Sequence, residues 1–258
     1  KLVQGLQEHP HCDTLTLEPL GPSVLREYAH SLLPLTEKVA DQLAKRSSGN
    51  PLFMEQLLRH WIQSDLLVPQ GNVYSLAPGA KPEVPESIQT LWVTRVESLV
   101  ANQPNGRDAF RALLMAACIG EQINSDQLSI ACAAAGFEMP AWVEEAMVAR
   151  GLAEPRENGW AFAHALLQEC LLRHAEEEGL SPELHRACAA MVKGLDDQRA
   201  GQASRLGRHL LLAGETFDAL PALLEGMREA LHHQDTEALG DCIDFREAAL
   251  KAAGVPRS

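Results

Sequence analysis

Apolar residues recur at helical spacing through most of the sequence, and the stretches so marked are separated by short runs rich in Gly, Pro and Asn. Ser23 reads as the N-cap of a helix reaching about Leu33, and Thr36 as the cap of a second reaching about Arg46. Gly49 and Asn50 break the second helix. Pro51 restarts a third at its first turn, where a missing N–H costs nothing, and that helix runs to about Ser64. Leu52, Phe53, Gln56, Leu57 and Trp61 give it one packing face. Leu66-Leu67-Val68 and Val73-Tyr74-Ser75-Leu76 predict a hairpin around Pro69-Gln70-Gly71-Asn72. Pro78 to Pro85 reads as a linker, after which Glu86-Ser87 opens a helix with Ile88, Leu91, Val96 and Leu99 on one face. Thr14-Leu15-Thr16-Leu17 alternates and predicts one short strand, whose sheet partners are expected upstream of the chain.

Asn102 to Gly106 is a break, and a second series of helices follows it. Phe110, Leu113, Leu114 and Ala117 mark a helix closed by Gly120; Ser125 caps another, closed by Gly136; Pro140 starts a third, with Trp142, Val143, Ala146 and Met147, closed by Gly151. Leu152-Ala153-Glu154 and Trp160-Ala161-Phe162 flank the turn Pro155 to Gly159. Three helices and a hairpin are the order of a winged-helix unit, and a further helix runs from about Ala165 to Glu178. Beyond Ser181 come four Ala/Leu-rich helices, at about Pro182–Gly194, Gln202–Ala213, Phe217–Leu231 and Thr236–Ala253. They read as paired helices stacked in the manner of a tetratricopeptide (TPR)-like repeat, a pattern that a plain helical bundle shares. The expected fold is therefore mainly α, in three parts: 1–104, 105–180 and 181–258.

Composition narrows the functions open to such a chain. Its 258 residues are 46% hydrophobic and 5% aromatic and carry a formal net charge of −13. The hydrophobic share is that of a folded chain rather than a disordered one. The acidity argues against a polyanionic partner, since phosphate contacts need a basic stripe and no lysine/arginine cluster is longer than Lys45-Arg46. Cys118, Cys132, Cys170 and Cys188 fall inside apolar helical patterns and read as small buried hydrophobes in a reducing, cytoplasmic setting. No C-x-x-C pair occurs, and the His9, His11, Cys12 cluster has no fourth ligand at motif spacing, so no metal site is predicted. No apolar run is long enough to span a bilayer, and no membrane partner is expected. The sequence opens on Lys1 in mid-pattern and is expected to be part of a longer protein.

The order of these features resembles a signalling ATPase of the STAND class, in which a nucleotide-binding core is followed by a helical lid, a winged helix and a helical repeat array. Thr14–Leu17 with Glu18-Pro19-Leu20 resembles the last core strand of that class. Ser48-Gly49-Asn50-Pro51-Leu52-Phe53-Met54-Glu55 is similar to the Gly-x-Pro motif of the lid, and Val84-Pro85-Glu86-Ser87-Ile88 to the entry of the next helix. Phe162-Ala163-His164 resembles the F-x-H end of the winged helix, and Ala213-Gly214-Glu215 the start of the repeats. Each motif is short, and it is their order and separation over nearly the whole chain that make the likeness specific. The likeness is greatest to bacterial regulators in which this ATPase sits beside a Ser/Thr kinase, a nucleotide cyclase or a LuxR-type DNA-binding domain. It implies that Gly49, Asn50 and Pro51 border a nucleotide, with Pro51 packed on the adenine, and that His164 reaches the β-phosphate of ADP in a closed state. It also implies ATP or ADP with Mg²⁺ as cofactors of a longer parent, nucleotide-controlled oligomerisation of that parent, and protein partners held by the C-terminal helices.

The sequence departs from the class at its centre. No G-x-x-x-x-G-K-[ST] segment occurs, and no hydrophobic strand ends in a carboxylate that would hold Mg²⁺. Without the phosphate cradle and its lysine the chain itself is expected not to hydrolyse ATP and to need no cofactor of its own. The expected role is regulatory: the lid-to-repeat part of such an ATPase, coupling nucleotide state to a partner or output domain. The alternative is a helical scaffold that binds a protein partner without nucleotide. On spacing alone the Gly-Asn-Pro corner is an ordinary helix–turn–helix and His164 a packed histidine beside a strand. A DNA-reading winged helix is disfavoured because its third helix reads Trp142-Val143-Glu144-Glu145, where base and phosphate contacts need Arg, Asn, Gln or Lys. Hydrolase, metalloprotease and EF-hand motifs are also missing, so no catalytic residue is predicted.

Overall fold

A computed structural model describes residues 17–78, 80, 88–195 and 201–254. The Thr14–Thr16 part of the predicted strand, the His9/His11/Cys12 cluster and the Val84–Ser87 motif lie outside the described residues; Leu17 is exposed and in no strand. The described chain is mainly α, with twelve helices and five short strands. It divides into two compact units, one ending at Leu91 and the other beginning at Trp92.

The first unit holds α1 (Pro22–Leu32), α2 (Glu37–Ser47), α3 (Pro51–Gln63), the hairpin β1 (Leu67–Gln70) and β2 (Val73–Leu76), and the first turn of α4 (Ile88–Val100). Its core gathers Leu25 and Ala29 of α1, Val39 and Leu43 of α2, Met54, Leu57 and Trp61 of α3, then Leu67 and Leu91. Gly21, not Ser23, is the N-cap of α1: Pro22 takes the first helical position because its fixed φ suits it, which moves the helix start upstream of Ser23. The hairpin turn is shorter than its sequence suggests. Gln70 pairs with Val73, so only Gly71 and Asn72 form the loop, and Gly71 has the positive φ (63°) that a two-residue turn requires. Pro69 and Gln70 belong to β1. The opposing Tyr74 directs its own backbone elsewhere, its N–H donating to the Pro34 carbonyl (2.7 Å) and its carbonyl accepting from the Thr36 N–H (2.9 Å). Pro69 is thus at an edge position where no ladder bond needs its missing N–H.

The second unit continues with α5 (Gly106–Ile119), β3 (Gln122–Asn124), α6 (Ser125–Ala134), α7 (Trp142–Ala149), β4 (Ala153–Arg156), β5 (Gly159–Phe162) and α8 (Ala165–Glu177). The three strands form one antiparallel sheet in the order β3-β5-β4. Helix, strand, helix, helix, strand, strand, with the last strand central, is winged-helix topology. The sequence pattern predicts the β4–β5 hairpin but not β3, whose three residues contain a single apolar side chain, Ile123. Gly159 lets β5 come close to β3: a Cβ there would lie 2.1 Å from the Ile123 carbonyl. Asn124, not Ser125, caps α6, its Oδ1 accepting from the Gln127 N–H at 3.0 Å. Helix α5 is enclosed rather than packed on one face, with Ala109 and every residue from Ala112 to Cys118 buried. Its alanines allow neighbours to approach from several sides.

Helices α9 (Ser181–Lys193), α10 (Gln202–Leu212), α11 (Thr216–His233) and α12 (Thr236–Ala252) follow. Each packs on the next, and α9 also packs on α5 and α6. Small residues set the spacing between α10 and α11. A Cβ on Gly207 would lie 2.5 Å from Leu223 Cγ and 2.9 Å from the Leu223 backbone nitrogen; one on Gly226 would lie 2.9 Å from Ser204 Cα and 3.1 Å from Cys242 Sγ. No described helix is long and apolar enough to cross a membrane.

Two predictions come from this packing. Gly226→Ala removes a helix-interior glycine, a change that on propensity alone stabilises by about 1 kcal/mol. Here the added methyl meets backbone, and overpacking of that kind costs about 1–3 kcal/mol. Thermal unfolding should therefore show a loss of stability in Gly226→Ala, whereas Gly240→Ala in α12, where a Cβ meets nothing within 4 Å, should gain.

The second concerns His185 of α9 and His209 of α10, which are buried with their Nδ1 atoms 3.0 Å apart. One imidazole must donate and the other accept, so they are not both protonated, and as a neutral pair they carry opposite tautomers. Burial, then the nearby Arg208, lowers His185 from 6.5 to about 4. Burial, then His185, Arg208 and Arg205, lowers His209 to about 3. An unfolded chain takes up protons near pH 6.5 that the folded chain refuses, so this contribution is full above that pH and declines as pH falls toward about 4. The first proton alone is linked to roughly 3 kcal/mol. Urea unfolding between pH 7.5 and 4 should show stability falling on the acid side, and a His185→Leu/His209→Leu variant should show a shallower slope.

Candidate functional site

The Gly49-Asn50-Pro51 corner joins α2 to α3. Ser48 closes α2 in the left-handed region (φ 49°), and Gly49 continues in it (φ 88°). Asn50 then caps α3: its Oδ1 accepts from the Phe53 N–H at 3.1 Å, and its own N–H donates to the Ser47 carbonyl at 2.9 Å. Pro51 occupies the first helical position and is exposed. Proline has no N–H and the cap consumes that of Phe53, so the start of α3 offers an anion few backbone donors. What the corner presents instead is the rigid apolar edge of Pro51, suited to a flat apolar group more than to a phosphate.

Gly49 is needed for a second reason. A Cβ at this position would lie 2.3 Å from Pro19 Cβ, and the Gly49 carbonyl accepts from the Leu20 N–H at 3.0 Å. The segment before α1 is therefore laid against the corner, and glycine is what allows it so close. The sequence pattern marks Pro19 only as the end of a strand, because a contact between residues thirty positions apart leaves no local signature.

His164 lies in the second unit, where β5 passes into α8. It is the N-cap of α8 (φ −143°, ψ 128°): its carbonyl accepts from the Leu167 N–H at 3.0 Å, while its side chain makes no capping bond. The half-buried imidazole instead stacks at a tilt on Trp92 of α4, with ring centres 5.6 Å apart. The guanidinium of Arg95, one turn further along α4, lies 5.0 Å from the same indole, and its Nη2 donates to the Arg150 carbonyl at the end of α7 (3.5 Å). That carbonyl is at the negative end of a helix, where a cation is favoured. Trp92, itself fully buried, is thus flanked by an imidazole and a buried guanidinium (5% exposed). Neither Trp92 nor Arg95 is singled out by the sequence pattern; their i, i+3 spacing on a helix looks like ordinary packing.

The structure brings Gly49, Asn50 and Pro51 together in the first unit and gives His164 the company of Trp92 and Arg95 in the second. Other reactive side chains are held in unreactive forms. Burial raises the Cys118 and Cys132 thiols to about 12 and Cys170 to about 11, and pushes Cys188 up as well, so at neutral pH they are protonated. Cys188 Sγ contacts Met115 Sδ at 3.4 Å, as packing partners do. Among the described residues no three His, Cys, Asp or Glu side chains gather as metal ligands would. The outward face of α7 carries Glu145, with Glu144 half-buried and accepting from Ser125 Oγ at 2.8 Å.

The corner yields a paired prediction. Gly49→Ala forces a Cβ into the left-handed region and into Pro19, and should lose on the order of 2 kcal/mol or more. Ser48→Gly relieves a left-handed non-glycine residue in an exposed position, and should gain a few tenths of a kcal/mol. Chemical denaturation of both variants checks the opposite signs. Searched against protein families, curated proteins and solved structures, the chain finds no match.

Proposed function

We propose that this chain is the regulatory, non-hydrolysing part of a STAND-type signalling ATPase: a helical lid, a winged helix and a stack of C-terminal helices that pass the nucleotide state of a phosphate-binding core to a protein partner. The observation that carries the reading is His164. It stands at the end of the central strand of a winged-helix sheet, opens the following helix, and lies on Trp92 beside the Arg95 guanidinium. An imidazole so placed can donate to a phosphate oxygen and respond to its charge. Supporting it are the exposed Pro51 at the start of α3 and the order of the elements along the chain. In this reading Pro51 offers its apolar edge to a base, and His164, in its own unit, offers its imidazole to a phosphate oxygen.

A second reading, a scaffold that binds protein without nucleotide, is favoured by the apolar side chains that α11 leaves exposed. The two differ in what ADP does. A charged hydrogen bond to phosphate contributes about 1.5–3 kcal/mol, which shifts a balanced open/closed equilibrium roughly tenfold to a hundredfold. In the longer protein, His164→Ala should release the closed state by that factor, read as assembly state by light scattering in ADP. Pro51→Ala should instead weaken ADP affinity, read by calorimetry. The proposal fails if the residues preceding Lys1 contain no G-x-x-x-x-G-K-[ST] segment, or if His164→Ala matches wild type in both measurements.

A further inference from the structure

Arg26, Arg59, Arg111, Arg156, Arg186 and Arg228 each hold a carboxylate of this chain at 2.7 to 2.9 Å. Among the described residues Arg205 and Arg208 of α10 have no such partner, although the chain has 35 acidic residues against 22 lysines and arginines. Both are half-buried. They stand at i and i+3, neighbouring positions on one helix face. Arg205 Nη2 donates to Oε1 of Gln127 in α6 at 3.0 Å, a neutral partner. Arg208 lies over the Phe245 ring of α12, 5.9 Å from its centre, and its Nε is buried without a hydrogen-bond partner. Both guanidiniums act on the Cys188 thiol and the His209 imidazole, so they lie against the same part of the core. An imidazole offers no negative charge to offset them. The exposed Glu176 of α8 acts with Arg208 on Cys118 but makes no ion pair with it. An arginine keeps its charge at any pH a protein survives. Withdrawing two from water therefore costs free energy that an amide and a ring repay only in part.

We infer that Arg205 and Arg208 form a binding site for a phosphate group on α10, between Gln127 of α6 and Phe245 of α12. Two guanidiniums match the double charge that phosphate carries near neutral pH, and donors on successive turns can take different oxygens. A lone carboxylate carries half that charge. Gln127 fixes the Arg205 fork from one side and Phe245 supports Arg208 from the other, and neither competes with an anion for the charge. Being half rather than fully buried, both side chains stay reachable from solvent. The net charge of −13 repels extended polyanions, so the ligand is a single phosphate group rather than a nucleic acid. The site stands on the C-terminal helices and on α6, and is independent of His164 and of the nucleotide reading.

Thermal unfolding and calorimetry of the 258-residue chain with inorganic phosphate test it. At constant ionic strength and about pH 7.5, phosphate should raise the unfolding midpoint saturably where chloride does not, and calorimetry should give one site. Arg205→Gln/Arg208→Gln should weaken binding at least about tenfold. Arg228→Gln, which removes an exposed guanidinium already bonded to Glu225, should bind as wild type does. Should the double variant not fold, Arg208→Lys, which keeps the charge and loses the fork, serves in its place and should weaken binding about threefold or more. O-phosphoserine is the second probe. Binding of both probes assigns the site to the phosphate group of a larger molecule, and binding of inorganic phosphate alone assigns it to the free ion. No response beyond that to chloride, arginine variants that bind as wild type does, or an equal loss in Arg228→Gln would overturn the inference.

Discussion

Close approach between helices is the constraint on which the second unit depends. With 5% aromatic residues, the chain cannot fill wide gaps between helices with large rings, so it narrows the gaps. Helix α5 does so with Ala109, Ala112, Ala116 and Ala117, which let the helix be buried on every side. Helices α10 and α11 do so with Gly207 and Gly226, where one helix touches the backbone of the other. Dispersion gains from many short contacts then replace the area gained by burying large side chains. Small thiols fit the same logic, and Cys118, Cys132, Cys188 and Cys242 fill the narrow spaces as buried groups. A cost follows directly. A helix that places its small residues on its inner stripe has its larger apolar residues elsewhere, and on α11 these stand outside.

The helices are legible in the sequence because their signal is local. Periodicity and Gly or Pro punctuation place all twelve within a few residues of where they lie. Features decided by one residue or by a distant partner are not legible in this way. Ser23 and Ser125 both look like caps, but Pro22 at the first helical position and Asn124 with its reach to the third N–H move each start upstream. Strand β3 cannot be read, because three residues with one apolar side chain carry no period; it exists because β5 offers it a ladder. The pattern locates the β1–β2 hairpin correctly but makes its turn two residues too long. Pro69 looks like a turn residue and is tolerated in the strand only because the Tyr74 backbone bonds to Pro34 and Thr36 instead.

The candidate site divides in the same way. Gly49, Asn50 and Pro51 stand out in sequence because a break between two helices needs those residue types. The structure gives them, in turn, a left-handed turn, a cap and a helix start. The reason Gly49 cannot carry a side chain, the Pro19 segment lying on it, is a tertiary fact with no local trace. His164 stands out only as part of the Phe162-Ala163-His164 run, and its indole and guanidinium neighbours come from α4, far earlier in the chain. Sequence reasoning finds single residues at element ends; it does not find what the fold sets beside them.

Buried polar pairs show why that difference matters for function. His185 and His209 are unremarkable in sequence, each on the inner face of an amphipathic helix, yet together they form a neutral pair held at 3.0 Å. Burial decides their protonation state, and the proximity of Arg205 and Arg208 reinforces it. His164 differs in kind. It is half-buried, lies at an element junction, and faces an aromatic ring rather than a second imidazole. A histidine shut in a core stays neutral, at a cost in stability that grows as pH falls below its unfolded pKa, and it can tell the outside nothing. A histidine at a junction, half-buried against the Trp92 indole, stands outside that closed frame. That contrast, more than the residue type, separates His164 from His185 and His209, which are part of the frame.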